Sequence, residues 1–137
     1  MKISKKPKQA RVDSLIGAKS RILGEVRFSQ GLHIDGLVKG DVVSDEGLES
    51  TLTLSQSGTV EGHVRVPFVI ISGVVKGDVY AQDYVELGSS ARIEGDVYYG
   101  LIEMAMGAEV NGKLVRIIDS DNKVEKTSKK LEKAKYK

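Results

Sequence analysis

The residues with catalytic potential are few and regularly placed. His33 and His63 are the only histidines, and Asp41, Asp78 and Asp96 each stand between a glycine and a valine. A histidine is the usual general base near neutral pH, and closely set carboxylates can share a proton or a metal. Both histidines are flanked by apolar residues at strand-like spacing, so both are expected to face outward as solvent-exposed bystanders. The aspartates fall on the outward side as well. With Lys39 and Lys76 they read as an exposed salt-bridge face, whose pairs are worth little each. The chain has no cysteine, which excludes thiol catalysis, thiolate metal sites and disulfides. Gly-Lys occurs only at Gly112-Lys113, without the upstream glycine and following Ser or Thr of a phosphate cradle. The expectation is a protein with no catalytic, cofactor or metal site and no small-molecule substrate.

The elements that carry these residues repeat. Six phrases share the form apolar, any residue, Gly, any residue, apolar, with their glycines at Gly24, Gly40, Gly62, Gly77, Gly95 and Gly112. A recurrence of this length marks a solenoid. A helix is disfavoured by the invariant Gly and by the Val and Ile around it, which prefer strands. The apolar spacing also continues by twos, as in Val26/Phe28, Val64/Val66, Val79/Ala81 and Val97/Tyr99, the period of one strand face. Each repeated glycine is expected at a corner, pointing inward between two core residues. A second apolar pair precedes each phrase, as in Leu32/Ile34, Leu52/Leu54, Val69/Ile71, Val85/Leu87 and Ile102/Met104. The link between pair and phrase is short at Ile34-Asp35-Gly36-Leu37-Val38 and Ile71-Ser72-Gly73-Val74-Val75. It is long at 55–59, 88–92 and 105–109. An insertion is expected near Asp45-Glu46-Gly47-Leu48. The predicted fold is an all-β, single-domain β-helix of about six turns, a rod roughly 30 Å long at ~4.8 Å per turn. Pro67 must sit at a corner or a strand start, because it cannot donate to a ladder.

Charge divides the 137 residues into three parts. Residues 1–14 form a basic tail and residues 119–137 a lysine-rich tail, while 15–118, the expected β-helix domain, has nine basic and fourteen acidic groups. The tails are poor in apolar residues and are expected to be disordered. No apolar run approaches the roughly 20 residues of a membrane span, and the N-terminus lacks a secretory apolar stretch, so a cytoplasmic location is expected. The basic tails lack aromatics apart from Tyr136 and the middle is acidic, so no nucleic acid is expected. Tyr80, Tyr84, Tyr98 and Tyr99 fall on two consecutive turns, as an exposed patch or as ordinary surface aromatics.

A solenoid has two ends with unpaired backbone groups and exposed core, and solenoids usually cover them with polar caps. Neither flank here reads as a cap. Leu15, Ile16, Ile22 and Leu23 at one end, and Leu114, Val115, Ile117 and Ile118 at the other, are the expected polymerisation interface. Head-to-tail joining gives a polar filament. Head-to-head with tail-to-tail joining gives one without polarity.

The six phrases in register, and the form Ile-Asp-Gly-Leu-Val-Lys-Gly-Asp-Val at 34–42, resemble the bactofilins, bacterial cytoskeletal proteins. The resemblance covers roughly residues 15–118. It implies a right-handed β-helix that polymerises end to end, without nucleotide, into filaments without polarity. It also implies a scaffold role in cell shape or envelope organisation, with envelope or cell-shape proteins as partners beside the chain itself. Some members attach to the inner face of the membrane through a short N-terminal segment. Here Met1, Lys2, Ile3, Lys5, Lys6 and Lys8 offer two apolar side chains and four cations for anionic inner-membrane lipid, about 1 kcal/mol per cation near the surface. Two other classes stay open: a left-handed β-helix acyltransferase, whose strict six-residue rhythm is missing here, and a monomeric adaptor with partner-binding tails.

Overall fold

A computed structural model describes residues 12–45 and 49–118. The disorder expected of residues 1–11 and 119–137 and the lipid contact expected of Met1, Lys2, Ile3, Lys5, Lys6 and Lys8 lie outside the described residues, whereas Asp13 and Ser14, counted in the basic tail, join the coil: Asp13 N–H donates to Gly31 O and Ser14 opens the first strand. So do Glu46, Gly47 and Leu48 of the expected insertion.

The described chain is built from strands that wind through six turns of three. The first turn holds β1 (Ser14–Ile16), β2 (Arg21–Leu23) and β3 (Val26–Phe28). The second holds β4 (Gly31–Ile34), β5 (Leu37–Lys39) and β6 (Val42–Ser44), and the third β7 (Thr51–Leu54), β8 (Thr59–Glu61) and β9 (Val64–Arg65). The fourth holds β10 (Phe68–Ile71), β11 (Val74–Lys76) and β12 (Val79–Ala81). The fifth holds β13 (Tyr84–Leu87), β14 (Arg92–Glu94) and β15 (Val97–Tyr99), and the sixth β16 (Ile102–Met104), β17 (Glu109–Asn111) and β18 (Leu114–Arg116). Equivalent strands of successive turns pair in parallel, giving three six-stranded faces: β1 to β16, β2 to β17 and β3 to β18, each in steps of three. The architecture is a parallel β-solenoid.

Parallel pairing one turn apart stacks like residues into columns. Val38, Val60, Val75 and Ile93 align on the second face, and Val42, Val64, Val79 and Val97 on the third; all are buried. On the first face Leu32, Leu52, Val69 and Val85 align beside Ile34, Leu54, Ile71 and Leu87. These columns meet in one core running the length of the rod. Each fully buried Val, Ile or Leu contributes about 1.5–3 kcal/mol relative to exposure. β-Branched side chains suit this packing because their restricted rotamers repeat from turn to turn.

The corner between the first and second faces comes in two lengths, which alternate through the first five turns. In turns one, three, five and six it is a four-residue turn, closed by Ser20 N–H to Gly17 O, Gly58 to Ser55, Ala91 to Gly88 and Ala108 to Ala105, at 2.9–3.1 Å. In turns two and four it shrinks to Asp35-Gly36 and Ser72-Gly73. The long corner at 17–20 carries weak turn signals (Gly17-Ala18-Lys19-Ser20) and has no counterpart among the sequence expectations. The insertion leaves β6 through Asp45, whose N–H donates to Phe28 O, and re-enters at Ser50, whose buried Oγ accepts the Gln30 N–H. Pro67 precedes β10, and its carbonyl accepts both Asp83 and Tyr84 N–H.

Candidate polymerisation surfaces

The two ends of the rod are edges. β1, β2 and β3 pair only with the second turn, and β16, β17 and β18 only with the fifth. Ile16, Ile22 and Val26 cover the core at one end, while Ile102, Val110 and Leu114 cover it at the other; all six are half-buried. Register separates the residues expected at these ends. Ile16, Ile22 and Leu114 align with the inner columns. Leu15 aligns with His33, Leu23 with Lys39 and Val115 with Tyr98, which places them on the outer flanks of the terminal turns. Leu15 and Leu23 are 61% and 77% exposed, whereas Val115 is 2% exposed. Ile117 and Ile118 follow β18; Ile117 N–H donates to Tyr99 O, and Ile118 is exposed. Val26, Ile102 and Val110 were legible as inner residues of the terminal turns. Reading each end as the last apolar stretch in sequence, rather than as a whole turn, passes over them.

The corner between the second and third faces explains the repeated phrase. Gly24, Gly40, Gly62, Gly77, Gly95 and Gly112 lie between the second and third strand of each turn. A Cβ built on Gly62 would stand 2.2 Å from Gly40 O, and one on Gly77 2.2 Å from Gly62 O. Such an atom points along the solenoid axis at the backbone of the preceding turn, rather than into the core as expected. Glycine is needed here for the close approach of stacked corners. At Gly24 a Cβ would meet nothing within 4 Å, so the column opens onto the end of the rod.

The residue after each glycine builds a second column. Asp41 Oδ1 accepts the His63 N–H at 2.9 Å, and His63 Nδ1 accepts the Asp78 N–H at 3.0 Å. Asp78 Oδ1 accepts the Asp96 N–H, and Asp96 Oδ1 the Lys113 N–H, both at 2.9 Å. The corner amides are thus satisfied by side chains of the turn before. Asp41, Asp78 and Asp96 tie the coil together instead of forming the expected salt-bridge face. His63 is a structural acceptor rather than a bystander, which requires its neutral ring with the proton on Nε2. His33 donates through Nε2 to Asp35 Oδ1 at 2.9 Å. Hydrogen bonding from Ser55, then from His33, holds the Asp35 carboxyl below its ordinary range.

The four tyrosines separate. Tyr84 is fully buried, and its hydroxyl lies 2.9 Å from Glu86 Oε1 and 3.0 Å from Glu103 Oε1. Desolvation and then these two carboxylates raise its pKa far above the usual phenol range. Tyr99 lies on an inner column beside Ala81 and packs against the core. Tyr80 and Tyr98 stack on the outer third face with ring centroids 5.8 Å apart, and the Arg65 guanidinium sits 4.9 Å over Tyr80. Among the described residues no group of three or more His, Asp or Glu could hold a metal ion, and no helix is long and apolar enough to cross a membrane.

The fold defines a parallel β-solenoid protein with one continuous core and terminal strands paired on one side only. Residues 14–115 match the family model described as bactofilin, polymer-forming cytoskeletal. The chain is 34% identical over 102 residues to bactofilin BacO of Myxococcus xanthus, covering 74% of this chain and 78% of that protein. It is 30% identical over 102 residues to bactofilin BacP of the same organism, covering 74% of this chain and 41% of BacP. No solved structure matches significantly. The chain belongs to the bactofilin family of polymer-forming cytoskeletal proteins.

Proposed function

We propose that this chain is the subunit of a filament that grows by stacking the terminal turns of one rod on those of the next, and that the filament serves as a scaffold for cell-shape or envelope proteins. The observation that carries this reading is the pair of strand edges, β1–β3 and β16–β18, each over a rim of half-buried apolar side chains. A joining chain adds strand pairing and apolar burial of the kind that join turns within the rod, with the strands antiparallel across a junction of like ends. Strand addition of this kind draws its free energy from those contacts, so assembly proceeds without nucleotide. Like ends meet like ends, which gives a filament without polarity. In this reading the filament is cytoplasmic, and the basic segment from Met1 to Lys8 holds it against anionic lipid on the inner face of the membrane.

Ile22→Glu and Val110→Glu place a charge in the rim of either end. Each variant is expected to keep the wild-type circular dichroism spectrum and to stop at short oligomers in negative-stain images. Long filaments formed by both folded variants would overturn the end-stacking reading. Vesicles containing anionic lipid are expected to pellet with the full chain and to lose most of that binding when residues 1–8 are removed.

A further inference from the structure

The second face carries two outer columns of side chains, one on each side of its buried valine and isoleucine column. One column, in turn order, is Leu23, Lys39, Glu61, Lys76, Glu94 and Asn111. Its four middle residues alternate in charge at one-turn steps. No ion pair within 4.0 Å joins Lys39, Glu61, Lys76 or Glu94 to a neighbour among the described residues; the pair on this face is Arg92–Glu109 at 3.7 Å. The other column is Arg21, Leu37, Thr59, Val74, Arg92 and Glu109.

The order of these charges has a symmetry. A half-turn about an axis lying along the strands sets a second copy face to face and antiparallel, and keeps each column opposite itself. The second turn then faces the fifth and the third faces the fourth. Lys39 meets Glu94, and Glu61 meets Lys76, each pair occurring twice. In the other column Arg21 meets Glu109. Parallel packing about the solenoid axis instead sets each column against the other within the same turn, where Arg92 beside Glu94 is the sole complementary pair. We propose that the second face is a lateral contact between two copies of this chain running antiparallel, and that it joins filaments side by side.

The relief of the face fits the same arrangement. An open recess of about 630 Å³ runs along this face from Lys19 of the first turn to Lys76 of the fourth, and takes in Gly36 and Leu37 at the short corner of the second turn. In the antiparallel pair the long corner of the fifth turn, 88–91, comes opposite it. The face offers only about 300 Å² per copy at ~4.8 Å per strand, well under the roughly 800 Å² per partner of a stable contact. One rod therefore holds another weakly. A filament repeats the contact along its length, and linked weak contacts sum to a firm one.

Lys39→Glu with Lys76→Glu makes the column uniformly negative, and Glu61→Lys with Glu94→Lys makes it uniformly positive. Wild type is expected to form bundles that pellet at low speed in low salt and disperse as salt screens the pairs. Each double variant is expected to give single filaments that pellet only at high speed, and a one-to-one mixture of the two to bundle again. Bundling by either variant alone, or a mixture that stays dispersed, overturns the proposal. High-speed pelleting reports end-to-end growth separately, so loss of filaments is not confused with loss of lateral contact. A cross-link reads the contact even where filaments fail: because the chain has no cysteine, Leu37→Cys protein mixed with Arg92→Cys protein should join through a bis-maleimide spanning about 10 Å, the face-to-face sheet separation. Each variant alone should join far less, and equal yields would overturn the antiparallel register.

Discussion

The carboxylate of Asp78 accepts the backbone N–H of Asp96, 2.9 Å away and one turn further along the rod. The bond runs across a corner where no strand supplies an acceptor, and its equivalents at Asp41, His63 and Asp96 make a side-chain ladder parallel to the axis. An acceptor one carbon from the backbone has the reach for this; a longer side chain would have to fold back.

Asp78→Ala removes one such bond and is expected to lower unfolding free energy by about 1 kcal/mol, because water reaches the half-buried corner. His63→Asp keeps an acceptor for the Asp78 amide and is expected to leave stability within about 0.5 kcal/mol of wild type. Thermal melting of the two variants checks both, and a larger loss in His63→Asp would show that the ring does more than accept.

Gly77→Ala sets a methyl group 2.2 Å from Gly62 O, a backbone atom that no rotamer change can move. The stacked corner must shift, at a cost of about 3 kcal/mol or more. Gly17→Ala, whose nearest neighbour would be Ser20 Oγ at 4.0 Å, is expected to be tolerated. Urea unfolding of the pair tests whether axial stacking, rather than loss of any glycine, sets the cost.

Glu86 stands directly opposite Glu103 in the ladder, an unfavourable like-charge pair that the Tyr84 hydroxyl bridges. Tyr84→Phe removes the donor and is expected to cost about 1.5–3 kcal/mol at neutral pH, as for a hydrogen bond to a charged group. Because the folded pKa is raised, the phenol's contribution is fully present below the unfolded value of about 10 and is lost as pH climbs above it. The gap between wild type and Tyr84→Phe should therefore narrow above pH ~10. A wild-type ultraviolet titration should show one tyrosine that ionises only on unfolding.

Val115 is buried while Ile118, three residues on, is half exposed. Val115→Glu would bury a charge and is expected to lower the melting temperature of the rod itself. Ile118→Glu should leave melting unchanged. A defect in filament growth in Val115→Glu is therefore a folding defect, and equal melting of the two variants would overturn that assignment.

Much of the fold was written locally. The Gly-centred phrase, the Val and Ile around it and the alternation by twos depend only on backbone sterics and strand periodicity. They set the number of turns, the corners and the inner columns from Val38 to Ile93. The short corners at Asp35-Gly36 and Ser72-Gly73 were legible too, since two residues leave no room for a turn. Contacts between turns needed the register. A sequence shows that Asp78 follows a glycine, but only stacked turns bring its carboxylate to the Asp96 amide. The same register turned the glycine from a core-facing residue into an axial one, and moved Leu15, Leu23 and Val115 to the outer flanks. It also lined up Lys39, Glu61, Lys76 and Glu94, which lie 15–22 residues apart in the chain. The sequence by itself determined that this protein is a coil of near-identical turns. The tertiary structure decided which atoms meet between turns, because the axial translation that aligns residue with residue is a property of the stacked coil and of no single turn.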